Sequence, residues 1–151
     1  SVLERFGRNG NKSLAFCSGW KLKKGAMASS AAPDDNNLVV MGVNAEDMSI
    51  AVNYLIEQGG GQVVVADGEI LEFLPLPVGG IVSDREPEEI AAHEKLIDQA
   101  ARSLGSDLPD PMMYMFFLPI TAIPDYAITD AGPVDYVALT TFDPVLEVVE
   151  K

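Results

Sequence analysis

The sequence has few of the residues from which catalytic and metal centres are usually built. Its 151 residues include one cysteine, Cys17, and one histidine, His93. A single cysteine excludes an internal disulfide, which is consistent with a reducing compartment, so we expect a cytoplasmic location. One histidine and one cysteine cannot supply the ligands of a zinc or two-metal hydrolase centre. We therefore predict that this chain holds no metal and has no catalytic residues of its own.

Basic residues are also scarce. The sequence has 10 lysines and arginines against 23 aspartates and glutamates, for a formal net charge of -13. This charge repels nucleic acids and anionic membranes. No signal peptide and no apolar stretch long enough to span a bilayer are present. We expect neither nucleic acid nor a membrane as a partner. The absence of methionine at Ser1 suggests a piece of a longer polypeptide.

Apolar residues, by contrast, are plentiful and patterned. They make up 48% of the chain, enough for one packed domain over residues 1–151. Apolar runs at 38–43 and 63–66 flank a helical pattern that begins after Asn44 and stops at Gly59. The pattern predicts strand, helix and strand, with the two strands parallel and the crossover right-handed. The fold class is therefore α+β, with a mixed sheet and two main helices around this central β-α-β unit.

Further elements follow from local signals. Asp67-Gly68 predicts a tight hairpin. A second helix is predicted from Pro87, which suits a first helical turn, to about Leu104. Apolar or small residues predict further strands at 13–20, 26–32, 112–118 and 134–141. Cys17 lies within the first of these runs and is expected to be buried.

Three features invite a chemical interpretation and are better explained by structure. The triple glycine at 59–61 follows a helix, whereas a phosphate loop precedes one, so these glycines are interpreted as a helix C-cap. His93 lies on a helix face and is interpreted as a residue at the edge of the core. The basic cluster Lys21, Lys23 and Lys24 is interpreted as a solvated loop, with an anion or partner contact as the alternative.

The most polar loop beside the central strand spans residues 29–37 and includes Ser30, Asp34 and Asn37. Loops at strand ends often form binding sites. No histidine or lysine within the loop could activate a serine, and the spacing does not fit a calcium loop. The alternative is turn chemistry, because proline, aspartate and asparagine stabilise turns through their own backbone.

Several segments resemble one known family. They are Gly-Trp-Lys-Leu-Lys-Lys-Gly-Ala-Met-Ala-Ser-Ser (19–30), Asn-Leu-Val-Val-Met-Gly-Val-Asn-Ala-Glu-Asp-Met (37–48), Gly-Gly-Gly-Gln-Val-Val-Val (59–65), Leu-Pro-Leu-Pro-Val-Gly-Gly (74–80) and Leu-Pro-Asp-Pro-Met (108–112). Their order and spacing resemble the C-terminal domain of bacterial and archaeal adenine deaminases, members of the amidohydrolase superfamily. The resemblance covers nearly the whole chain.

The resemblance implies a part of a hydrolase that converts adenine and water to hypoxanthine and ammonia. In that family the metal ligands lie on a (β/α)8 barrel that precedes this domain, so the barrel is the implied partner. The implied cofactor is a divalent metal, manganese, iron or zinc, held by the barrel and not by this chain. A homo-oligomer is a further possible assembly. The implied task of the domain is to pack on the barrel and shape the mouth of the active site.

The sequence departs from the family pattern in the polar loop. The family has Ser-Val-Ala-His-Asp-Ser-His-Asn where this chain has Ser-Ala-Ala-Pro-Asp-Asp-Asn-Asn, at residues 30–37. The two family histidines are replaced by Pro33 and Asn36, and a third, near the start, by Phe6. Asp34, Asn37 and Ser30 are therefore the candidate substrate-loop residues. If those histidines assist binding or catalysis in the family, that role is lost here, and the parent is then a divergent deaminase with another substrate or an inactive relative. A free-standing, non-catalytic interaction module is the alternative from another class.

Overall fold

A six-stranded sheet forms the centre of the protein. The computed structural model describes residues 1–33, 35–123, 125–145 and 147. The strand order is β2-β1-β4-β3-β5-β6, and neighbouring strands are antiparallel at every described pairing. The strands are β1 Val2–Leu3, β2 Lys12–Ser13, β3 Ala26–Ser29, β4 Leu38–Gly42, β5 Gly61–Ala66 and β6 Glu69–Pro75. Together with the helices below, this sheet confirms the α+β class.

The central unit differs from the prediction in how its strands pair. Strands β4 and β5 both pair antiparallel with β3, so they run in the same direction but are not neighbours. β3 lies between them, and the predicted parallel ladder of a mixed sheet is replaced by two antiparallel ladders. The sequence could not predict this pairing, because β3 precedes the unit along the chain. The residues of the unit itself carry no signal that another strand lies between β4 and β5.

Helix α1, Ala45–Gln58, connects β4 to β5 and begins and ends as its sequence predicts. The Asn44 side chain accepts a hydrogen bond from the Asp47 backbone N–H at 2.7 Å and donates one to the Asp47 carboxylate at 2.7 Å. Gly59 ends the helix in the left-handed conformation, with φ of 77°. The Asp47 carboxylate also accepts the Gly68 N–H at 2.9 Å, so it joins the helix start to the β5–β6 turn.

Helix α2, Pro87–Ser103, also agrees with its prediction, whereas the segment after it does not. The apolar run 112–118 was predicted to be a strand, but helix α3, Pro111–Phe116, occupies most of it. The Asp110 side chain caps this helix by accepting the Met113 N–H at 2.9 Å, and Pro111 takes the first helical position. Met112 and Met115 are buried while Met113 is exposed, which is a helical and not an alternating pattern.

The C-terminal part forms a second, three-stranded antiparallel sheet. Its strands are β7 Tyr126–Thr129, β8 Gly132–Asp135 and β9 Thr140–Thr141. The single strand predicted at 134–141 is therefore wrong, because a turn divides it. The Asp135 carboxylate accepts the Ala138 N–H at 2.8 Å, and Leu139 has a φ of 53°, so the chain reverses between β8 and β9.

The segment after β2 was predicted to continue as a strand to residue 20, and this is also wrong. Strand β2 ends at Ser13 because its partner β1 is only two residues long. β1 gives way to a turn in which the Glu4 carboxylate accepts backbone N–H groups, including those of Phe6 and Arg8. Beyond Ser13 the chain leaves the sheet, and Cys17 is exposed, not buried as expected.

The core has two layers, one on each face of the large sheet. Val63 and Val65 of β5 face helix α1 and pack with Leu55, whereas Val64 belongs to the cluster of α2 and α3 that includes Ile97. Alternation along β5 therefore places its valines in both layers. Among the described residues, no helix combines the length and the apolar character needed to cross a membrane.

Candidate functional site

The polar loop between β3 and β4 begins with a buried serine. Ser30 is 2% exposed, and its hydroxyl accepts the Gly61 N–H at 2.8 Å and donates to the Gly80 carbonyl at 2.6 Å. These bonds join the end of β3 to the start of β5 and to the turn after β6. Gly60 must be glycine here, since an added Cβ would lie 2.4 Å from the Cα of Gly80. The Ser30 side chain therefore holds three segments together.

Asn37 ends the same loop and is also buried, at 5% exposed. Its side-chain amide donates to the Asp35 carboxylate at 2.9 Å and to the Asp130 carboxylate at 3.2 Å. Asp35 in turn accepts the Asn37 backbone N–H at 3.0 Å, the arrangement of an Asx turn. Because Asp130 lies in the turn between β7 and β8, Asn37 ties the polar loop to the small sheet. Its Oδ1 atom has no hydrogen-bond partner among the described residues.

The middle of the loop contains Pro33 and Asn36, the positions at which the resemblance implies histidines. Asp34, the third candidate, lies outside the described residues. Asn36 adopts a left-handed backbone with φ of 51°, which asparagine tolerates better than most residues. Its carbonyl accepts a bond from the Arg5 guanidinium, which also donates to the Gly79 carbonyl at 2.9 Å. Arg5 therefore holds the loop against the turn after β6.

Sequence reasoning missed both Arg5 and Asp130. Each contacts the loop from a distant part of the chain, 31 and 93 positions away. Neither residue belongs to a motif, and the N-terminal segment gives no indication that it lies beside residues 36 and 79. Only the family comparison of Phe6 drew attention to that segment. The Phe6 ring lies beside the Arg5 guanidinium, 4.6 Å from its carbon to the ring centroid.

The other chemical candidates have structural roles. Gly59 and Gly60 donate their N–H groups to the last carbonyls of α1, which agrees with the helix-cap interpretation. His93 contacts the Glu72 carboxylate at 3.0 Å at the edge of the core. Lys21 and Lys24 form exposed ion pairs with Asp107 at 2.6 Å and Asp67 at 3.1 Å. In the described part of the chain, no three histidine, cysteine or acidic side chains come together as metal ligands.

An apolar groove is lined in part by the small sheet, to which Asn37 ties the polar loop. Its volume is about 570 Å³, and one wall is the segment that leaves the sheet after β2. The other walls come from the small sheet and the segment that follows β9. Phe16 and Tyr126 at this groove are 76% and 67% exposed, and among the described residues Asp135 is the only charged one that lines it. The principal lining side chains are Phe16, Leu118, Tyr126, Pro133, Phe142 and Pro144.

Comparison with known proteins identifies the family of this domain. The family model described as the adenine deaminase C-terminal domain matches residues 1–140. The chain belongs to this family. Adenine deaminase 1 of Desulfotalea psychrophila is 84% identical over 146 residues, which are 97% of this chain and 25% of that protein. Adenine deaminase 1 of Latilactobacillus sakei is 67% identical over 148 residues, 98% of this chain and 25% of that protein.

A third relative, adenine deaminase 4 of Rhizobium meliloti, is 58% identical over 145 residues, 96% of this chain and 24% of that protein. The chain thus spans about a quarter of the length of the curated relatives it matches. These similarities confirm the resemblance stated from the sequence. Membership of the family covers both the polar loop and most of the groove, since the match ends at residue 140.

Proposed function

We propose that this chain works as the C-terminal domain of an adenine deaminase-type hydrolase, the enzyme that converts adenine and water to hypoxanthine and ammonia. One observation carries the proposal: relatives named adenine deaminase match 97% and 98% of this chain with 25% of their own length. A domain that is contained in such proteins almost from end to end shares their task. The proposed localisation is cytoplasmic.

We further propose that catalysis occurs outside this chain. The divalent metal, manganese, iron or zinc, is held by the amidohydrolase barrel that precedes the domain. The residues of this chain do not fit such a centre, because the sequence has one histidine and one cysteine and the described residues gather no set of three ligands. This domain then contributes packing and the shape of the active-site mouth, and any oligomeric assembly is built by the parent polypeptide.

The candidate substrate-loop residues have different parts in this proposal. Ser30 and Asn37 direct their side-chain hydrogen bonds to Gly61, Gly80, Asp35 and Asp130 within the domain. They therefore support a positioning role, in which they fix the loop that reaches the mouth. Direct contact with the substrate is assigned to Asp34, which keeps the family pattern.

The test compares the chain alone with the intact parent polypeptide. Ammonia release from adenine is measured with added manganese, iron or zinc. We expect the parent to release ammonia and the chain alone to match a buffer blank. Turnover by the purified chain, in the absence of contaminating deaminase, would contradict the proposal that it lacks a catalytic centre.

A parent that fails to deaminate adenine would change the proposed substrate but not the proposed domain arrangement. The resemblance implies histidines at three positions that hold Phe6, Pro33 and Asn36 here, and a divergent parent would account for that difference. A metal-loaded, folded parent that fails on adenine but deaminates a related base would identify the divergent enzyme. A parent that deaminates no base would identify an inactive relative, and a chain that is naturally made without a barrel would support the free-standing interaction module.

A further inference from the structure

The apolar groove has a defined place in the fold. We call residues 14–17 the strap, because they cross between two hollows after leaving the sheet. The strap lines both the apolar groove of about 570 Å³ and a second hollow of about 290 Å³ beside the start of α1. Leu14 and Phe16 of the strap are 54% and 76% exposed.

This surface contrasts with the rest of the molecule. Charged residues make up 22% of the chain, and the net charge is -13, yet in the described part of the chain Asp135 is the only charged residue that lines the groove. Opposite the strap, the exposed rings of Tyr126 and Phe142 pack edge to face, with centroids 5.6 Å apart. Contiguous apolar surface framed by a charged exterior is typical of a protein contact.

The beginning of the chain lies beside the strap. The Ser1 nitrogen donates to the Val40 carbonyl at 2.7 Å, and the Ser1 hydroxyl donates to the Ser13 carbonyl at 2.5 Å. Ser13 directly precedes Leu14, so any residues joined to Ser1 emerge next to the strap. A domain attached there is held close to the groove at a high effective concentration, which favours it over a free partner.

We propose that the strap and the apolar groove form the surface onto which the preceding domain of the parent polypeptide docks, with Phe16 inserted into that domain. The inference rests on the proposed function, since it takes this chain as the C-terminal domain of a longer deaminase. It adds the location of the contact and the residue that anchors it. A second copy of the chain is the competing occupant, and the tether at Ser1 favours the preceding domain.

Cys17 offers a direct measurement of the contact, because it is exposed, lies within the strap and is the only cysteine of this sequence. Alkylation of Cys17 with N-ethylmaleimide is followed by peptide-resolved mass spectrometry in the chain alone and in the intact parent. We expect labelling in the parent to be slower by about tenfold or more, the protection given by a contact worth about 1.4 kcal/mol. Equal rates in the two proteins would overturn the proposal.

A matched thiol at the opposite edge of the sheet serves as the control. Glu69 is exposed on β6, whereas the strap follows β2 at the other edge. In a Cys17→Ser background, Glu69→Cys should be labelled at the same rate in the chain alone and in the parent. Equal slowing at both positions would indicate general shielding and would contradict a contact at the strap.

A substitution tests the anchor. Phe16→Ser removes a side chain that is 76% exposed, so the chain alone should keep its melting temperature. In the parent, the same change should restore Cys17 labelling to the rate of the chain alone, whereas Leu71→Ser on β6 should leave the protection in place. Protection that survives Phe16→Ser would overturn the role of Phe16.

Two further measurements distinguish the preceding domain from a second copy, and the docking surface from the proposed function. Dilution of the parent leaves an intramolecular contact closed, so protection that is lost on dilution would assign the surface to a second copy and overturn the proposal. Ammonia release from adenine is measured on the same samples. An active parent with unprotected Cys17 refutes the docking surface alone, whereas protected Cys17 in a parent inactive on adenine refutes the proposed function alone.

Discussion

The side-chain amide of Asn37 lies 3.2 Å from the carboxylate of Asp130 and donates a hydrogen bond to it across 93 positions of sequence. Through this bond, the polar loop is fixed to the small sheet that lines the apolar groove. The polar loop and the proposed docking surface are therefore neighbours.

Asn37→Ala should lower the free energy of unfolding of the chain by about 1–3 kcal/mol, because it removes two hydrogen bonds that the buried amide donates to the carboxylates of Asp35 and Asp130. Urea denaturation measures the change. Asn53→Ala, at an exposed site on α1, is the control and should have an effect within about 0.5 kcal/mol.

In the parent, Asp34→Ala should reduce kcat/KM with little loss of stability. If Asp34→Ala reduces stability and leaves kcat/KM unchanged, its role is structural.

Ser30→Ala tests the contact between the end of β3, β5 and the turn after β6. Loss of the hydroxyl removes the buried hydrogen bonds to the Gly61 N–H and to the Gly80 carbonyl. We expect a loss of about 1–3 kcal/mol in the free energy of unfolding. Ser103→Ala, on the exposed last turn of α2, provides the comparison. Similar unfolding midpoints for the two variants would show that the Ser30 bonds contribute little.

Two methionines of α3 distinguish a helix from the strand that the apolar run predicted. Met115 is fully buried, whereas Met113 is 48% exposed. Met115→Ala should cost about 2–5 kcal/mol through the cavity it leaves. Met113→Ala should cost within about 0.5 kcal/mol. In a strand the two side chains would share a face, so equal losses in thermal or urea unfolding would support the strand.

The amino group of Ser1 should make the stability of the isolated chain depend on pH. Burial lowers the pKa of this ammonium below its ordinary value of 8.0. Between the lowered pKa and 8.0, the unfolded chain binds more protons than the folded chain, so stability rises with pH through this window. Nα-acetylation of Ser1 should remove that rise. An identical pH profile for the free and acetylated chains, measured by urea denaturation, would refute this account.

The sequence predicted best what a few neighbouring residues decide. The cap at Asn44, the stop at Gly59 and the turn at Asp67-Gly68 each depend on local backbone and side-chain chemistry, and each occurs as predicted. The run 112–118 was wrongly predicted as a strand because all of its residues are apolar. Neither the 3.6-residue period of a helix nor the two-residue period of a strand is therefore visible in it. The informative signal was Asp110 followed by Pro111, a helix start that the run's composition obscured.

Distant pairing could not be predicted in the same way. The insertion of β3 between β4 and β5 joins segments that lie on either side of a helix, and no local pattern encodes the order. The candidate site has the same limitation. Ser30 and Asn37 could be recognised as loop residues, but their burial depends on Gly80, Arg5 and Asp130, which approach from other parts of the chain.

The position of β3 has a consequence for how the domain can be divided. All four of its residues are buried, and both of its edges are occupied, one by β4 and the other by β5. Removal of residues 26–29 would expose two rows of unpaired backbone groups facing each other in the middle of the sheet. A fragment that separates β3 from β4 or from β5 therefore leaves one of these rows without its partner. A boundary for expression, fusion or exchange between relatives has to keep residues 26–29 together with both partner strands.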